Sequence, residues 1–218
     1  MTVYEMAARL PGLQVLRDRS RALAMLDAIV SAGHSSRRYH FKRGWRPGTD
    51  LATMNDEQGD DYSILFRGDA AFVRGFSHES PMSPSANDDE VWPGLVDDVP
   101  DAFADVLQEP AFQYEDVFSA TYCLWHTGDA WRAGDIEFPE EGDDDVDGSQ
   151  RLAIVADAGP GAYLAFAADF YGTTVDPAAA AEIWALTPLS ESLVRRLNPA
   201  ADPEAVNRQA ATIGYPLG

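Results

Sequence analysis

His78, Glu79 and Ser80 put an imidazole, a carboxylate and a hydroxyl in three consecutive positions. These are the residue types of acid–base and nucleophilic catalysis, yet neighbours in sequence do not make a triad. Triad members are assembled by folding, with the nucleophile on a constrained turn, and the chain has no G-x-S-x-G elbow. Ser80 precedes Pro81, which suits a turn hydroxyl that satisfies backbone groups. A second pair, Asp135 and Glu137, shares one side of an extended segment, with Ile136 and Phe138 opposite. Together, His78, Glu79, Asp135 and Glu137 are the residues a hydrolase or a metal-dependent enzyme would use. A solvent-facing strand gives the same pattern for the two carboxylates.

The acidic stretch EEGDDDVDGS holds Asp143, Asp145, Asp147 and Gly148 in the D-x-D-x-D-G spacing that opens an EF-hand loop. Such loops alternate oxygen ligands and need glycine at the sixth position, where the chain turns sharply. The twelfth position is Ile154, where a bidentate Glu is required, so a solvated loop or a contact for a basic partner accounts for the acids better than a metal. His34, His40, His78 and His126 form no H-E-x-x-H pair and no zinc spacing. No phosphate-cradling or dinucleotide-binding glycine motif is present, and no cofactor is expected. Cys123 is the only cysteine; it forms no internal disulfide and reads as a small core residue.

The formal net charge is −20 over 218 residues, unevenly placed: residues 1–46 sum to +6 and the rest to −26. A field of that sign repels nucleic-acid phosphates and anionic membranes and attracts cationic partners. It is equally what a generally acidic proteome would produce. No apolar run approaches the ~20 residues of a membrane helix, and the N-terminus lacks the pattern of a signal peptide, so a cytoplasmic location is expected. The acids at Asp88, Asp89, Glu90, Asp97, Asp98, Asp143, Asp144, Asp145 and Asp147, with Trp92 and Trp125 as aromatic anchors, are the expected contacts for a basic protein.

The elements that must carry these residues follow from periodicity. Tyr62 to Phe76 alternates around Gly68-Asp69 and predicts a β-hairpin that ends before Pro81. Residues 36–42 and 51–54 predict short strands. A second hairpin is expected over 117–138, with its turn at Thr127-Gly128-Asp129 and Trp125 packing across it on Trp131. Leu16, Leu23, Leu26, Ile29 and Val30 make one apolar stripe on a helix over 13–31, after a short helix at 4–10. Its arginines, Arg17, Arg19 and Arg21, form an anion or partner site, a solvated face, or a counterweight to acidic segments of the same chain. A helix is expected from Pro100 to Pro110 with Phe103, Val106 and Leu107 buried. Asp176-Pro177, Ser190 and Asp202-Pro203 are helix starts in the C-terminal part. The expected fold is α+β: an antiparallel-rich sheet, an N-terminal helix packed on it, and a helical C-terminal portion. One domain is expected over 1–218, with a sheet-bearing part at 1–139, the acidic loop at 140–149 and helices over 150–218.

The runs YEMAARLPGLQVLRDRSRALAMLDAIVS, GFSHESPMSP, VWPGLVDDVPDAF, GDIEFPEEGDDDVDGS and IGYP resemble a family of uncharacterised bacterial proteins over nearly the whole chain. That family has no assigned activity and implies no catalytic residues. The L-P-containing opening and the V-P-D-x-F segment are similar to SUKH-type immunity proteins. This resemblance implies a protein that inhibits a toxin by binding it.

Overall fold

The computed structural model describes residues 1–139 and 144–218. In chain order the elements are α1 (Val3–Arg9), α2 (Leu13–Val30), β1 (Tyr39–Arg46), β2 (Thr49–Asn55), β3 (Asp61–Arg67), β4 (Ala70–Phe76), β5 (Gln113–Tyr114), β6 (Val117–Phe118), β7 (Tyr122–Thr127), β8 (Trp131–Arg132), α3 (Ala153–Ala156), α4 (Gly161–Phe170), α5 (Pro177–Trp184), α6 (Glu191–Leu197) and α7 (Pro203–Ile213). The fold is α+β and its main strand pairings are antiparallel. It divides into two compact units that do not follow chain order: residues 1–13 with 55–153, and residues 14–54 with 154–218. The boundary expected at the acidic loop therefore lies inside the first unit.

In the first unit β3, β4, β7 and β8 are successive antiparallel neighbours. Arg67 pairs with Ala70 across the Gly68-Asp69 turn, as the alternation predicts. Both faces of β3 and β4 are covered, so Ile64, Leu65, Phe66, Phe72 and Val73 are all core residues. Helix α1 packs on β7 and β8. The second hairpin is shorter than expected. Val117 and Phe118 turn back onto Gln113 and Tyr114, and only Trp131 and Arg132 return along β7. Its register sets His126 opposite Trp131 and Trp125 opposite Arg132, so the pair that packs is His126–Trp131, with ring centroids 5.2 Å apart.

The helix expected after Pro100 is instead a series of 3-10 turns at Asp101–Phe103, Val106–Gln108 and Pro110–Phe112. Phe103, Val106, Glu109 and Phe112 are buried. That is a period of three, matching 3-10 geometry, whereas an α-helix would add a fourth-residue position to the stripe.

In the second unit β1 and β2 form a hairpin, and α7 packs on β1. Asp176 accepts from the amides of Ala178 and Ala179, Ser190 from Leu193 and Asp202 from Glu204, so all three caps anticipated by sequence are formed. Asp27 falls on the apolar stripe of α2 and is fully buried. One oxygen accepts from the amides of Arg38 and Tyr39 at 3.0 and 2.8 Å, the other from the hydroxyls of Tyr163 and Tyr171, each at 3.0 Å. One carboxylate thus ties α2, β1 and α4 together. The α2 arginines serve structure as well. Arg19 donates to the carbonyls of Val155 and Ala156, and Arg21 to that of Gly214.

Candidate functional site

The expected site residues lie in the first unit, where they fall into three separate settings. The first is an acidic face. Asp88 and Asp89 hold left-handed backbone, a conformation Asp tolerates better than most residues. Their turn is closed by bonds from Asp89 N to Pro84 O and from Glu90 N to Asn87 O, both 2.9 Å. Asp88, Asp89, Glu90, Asp97 and Asp98 are all exposed. The loop then meets the segment after β8. Gly94, at φ +80, lies so close to the Asp135 carbonyl that no side chain fits, and Gly134 abuts Gly94 O in the same way. Half-buried Trp92 donates its indole N–H to Glu137 O at 3.0 Å. Asp135 and Glu137 are exposed on either side of buried Ile136. These two carboxylates therefore join the 88–98 loop rather than His78, and Trp92 lies among seven exposed acids. Tyr4 steadies the segment by donating to Gly134 O (2.8 Å) and accepting from Ile136 N (2.7 Å).

The second setting is His78. Its backbone N–H and its ring Nδ1 both lie 2.9 Å from Asp60 Oδ1. Arg151 binds the other oxygen of Asp60 and lies 3.7 Å from Asp56. Asp60 is 4% exposed, and Gly59 presses against the ring, where a Cβ would come within 2.9 Å of Cγ. The imidazole is fixed with Nδ1–H on a carboxylate, leaving Nε2 outward with Glu79 at 4.0 Å. A carboxylate-oriented imidazole of this kind is half of an acid–base apparatus. Ser80 takes no part in it. Its hydroxyl donates to Val146 O (2.6 Å) and accepts from Met82 N (3.1 Å), the turn role expected of it. Sequence reading missed Asp60 and Arg151. Extending the β3–β4 register one residue beyond Asp61↔Phe76 would have brought Asp60 to Ser77, beside His78.

The third setting is the D-x-D-x-D-G run. Asp143 lies outside the described residues, and Asp144 is exposed. Asp145 accepts from Gln150 N at 2.9 Å. Asp147 is fully buried, against the expectation of a partner or metal contact. Its oxygens accept from Val3 N (2.6 Å), at the start of α1, and from Ser149 N (2.9 Å), while its carbonyl takes the Thr121 hydroxyl. Burial pushes both carboxyls above the usual range. Gly148 does make the sharp left-handed turn, at φ +79. The run therefore works as a turn and a helix cap. Among the described residues no group of three or more His, Cys, Asp or Glu is placed to hold a metal ion. Trp125, expected as an anchor for a partner, is 4% exposed and belongs to the core. Among the described residues no helix is long and apolar enough to cross a membrane.

Charge divides with the two units. The first has five Lys/Arg against twenty-six Asp/Glu, the second eleven against ten. Of the five cations, Arg67 is paired with Asp105, Arg74 with Asp61 and Arg151 with Asp60. No family model, curated protein or solved structure matches the chain.

Proposed function

We propose that the chain is a non-enzymatic acidic binding protein that covers the cationic surface of a basic protein, in the manner of an immunity-type inhibitor on its toxin. The observation that carries this reading is the segregation of charge: one unit is close to neutral while the other holds the whole excess of acid. Acidity imposed by a host proteome would act on the surfaces of both units. Acidity selected for a partner acts where the partner docks, raising the encounter rate and rejecting anionic competitors. The face around Trp92, with Asp88, Asp89, Glu90, Asp97, Asp98, Asp135 and Glu137, offers an aromatic anchor within a charged rim. The similarity to SUKH-type immunity proteins points the same way. The test is affinity capture from the source organism's lysate at low and at high salt. A stoichiometric basic partner released by salt supports the reading; capture of nothing, or of partners indifferent to salt, counts against it.

One observation favours a second reading, a hydrolase: Asp60 orients His78 at 2.9 Å. In that case His78 Nε2 accepts the proton of an attacking water, and Asp60 holds the imidazolium that forms. Hydrolysis of p-nitrophenyl acetate by the wild type and by His78→Gln decides between the two. Equal rates remove the hydrolase.

A further inference from the structure

An open cleft of about 570 Å³ lies within the first unit, between α1 and the β7–β8 turn. Its lining includes Tyr4, Leu10, His126, Asp129, Trp131 and Arg132. That size suits a small organic ligand. Two of the walls are locked from behind. The Tyr4 hydroxyl is committed to Gly134 O and Ile136 N, and the Trp131 N–H donates to Pro11 O at 2.8 Å. Their polar ends are used up, which leaves the apolar parts of the rings for a guest.

Among the described residues, His126 Nδ1 and the side chains of Asp129 and Arg132 have no hydrogen-bond partner. His126 is 6% exposed, and its Nδ1 is a buried nitrogen with no hydrogen-bond partner. A buried polar atom left unpaired is costly, and native folds rarely keep one without a use. Asp129 and Arg132 are exposed, and among the described residues neither side chain forms an ion pair or hydrogen bond. They carry opposite charges on one cleft and do not pair with each other. In a unit with so few cations, an uncommitted arginine stands out.

We propose that this cleft binds a free α-amino acid with an aromatic or branched apolar side chain. Arg132 receives the carboxylate through paired N–H donors, as guanidinium geometry favours. Asp129 receives the ammonium. The side chain lies against Tyr4, Leu10 and Trp131, beside the His126 ring that packs on Trp131. This site goes beyond the binding of a basic protein and stands without it.

The probe is L-phenylalanine, compared with 3-phenylpropionate, which lacks the ammonium, and phenethylamine, which lacks the carboxylate. Each is titrated into the full chain and followed by tryptophan fluorescence and by the His126 imidazole resonances. L-phenylalanine is expected to saturate and to move the His126 signals, with each analogue about tenfold weaker, as expected for the loss of one charge-assisted contact. Arg132→Gln should lose the preference for L-phenylalanine over phenethylamine, and Asp129→Asn the preference over 3-phenylpropionate. Both positions are exposed, so both variants should fold. Saturation of none of the three probes by the wild type, or unchanged preferences in both variants, overturns the assignment.

Discussion

Replacing Asp27 tests whether one buried carboxylate holds the second unit together. Asp27→Ala leaves the amides of Arg38 and Tyr39 and the hydroxyls of Tyr163 and Tyr171 without their acceptor. A buried donor left unpaired costs about 1–3 kcal/mol, but removing the carboxylate also relieves its desolvation. The net loss is roughly 3–5 kcal/mol, the range seen when one partner of a buried charged network is deleted. With an m-value of about 2 kcal/mol/M, the urea midpoint should fall by roughly 1.5–2.5 M. Asp27→Asn should cost only about 1–2 kcal/mol: its amide oxygen can serve the two backbone N–H groups while the tyrosine hydroxyls rotate to accept from its NH₂. The pH dependence separates the two forms further. Burial, the largest influence, raises the Asp27 carboxyl above its ordinary 3.8, although Arg37 and the hydrogen bonds oppose it. The folded state therefore holds this proton more tightly than the unfolded chain. The resulting stability is complete below the ordinary value and is lost as pH rises through the folded one. The advantage of the wild type over Asp27→Asn should shrink across that window and level off above it. Urea titrations followed by circular dichroism over a pH series read both effects. An Asp27→Ala variant within about 1 kcal/mol of wild type, or more stable than Asp27→Asn, would show that the carboxylate does not hold this unit together.

Three other outcomes are expected. Gly94→Ala should cost roughly 2–5 kcal/mol, combining left-handed strain at φ +80 with a Cβ pressed on the Asp135 backbone, and thermal melts would show it. Ser80→Ala should cost about 1–2 kcal/mol, because Val146 O and Met82 N lose their shared hydroxyl; urea midpoints read this. Cys123 is fully buried and its thiol is pushed up to about 12 by burial. It should resist a thiol-specific disulfide reagent in the native chain and react completely in denaturant; fast native labelling would show the strand β7 environment to be open.

Local signals in the chain translated well into structure. Gly68-Asp69 between alternating runs gave the β3–β4 hairpin, and Asp176, Asp202 and Ser190 marked helix starts, because turns and caps are decided within a few residues. The 100–110 segment departs from the expected α-helix: Phe103, Val106 and Leu107 fit an α-helical stripe, while the burial of Glu109 and Phe112 that sets a period of three depends on tertiary packing. Much of the acidic face was legible from Asp88 to Asp98, but its junction with Asp135 and Glu137 rests on Gly94 meeting Gly134, forty positions along the chain. The Asp60–His78 pair spans eighteen positions and emerges only once a strand register is extended. Asp147 carried the signature of a solvated acid, and only the distant amide of Val3 shows it to be a cap.

The acidic face around Trp92, on this proposal, docks a basic protein. This docking is tested most directly by parallel capture from the source lysate with three baits at one salt concentration. These are the wild type; a variant neutralised at Asp88, Asp89, Glu90, Asp97 and Asp98; and a variant neutralised at Glu57, Asp69, Asp101, Glu115 and Asp116, all exposed acids of the same unit. The wild type and the second variant should retain a stoichiometric basic protein, and the face variant should lose it. Equal retention by all three baits, or equal loss from both variants, would contradict the proposal.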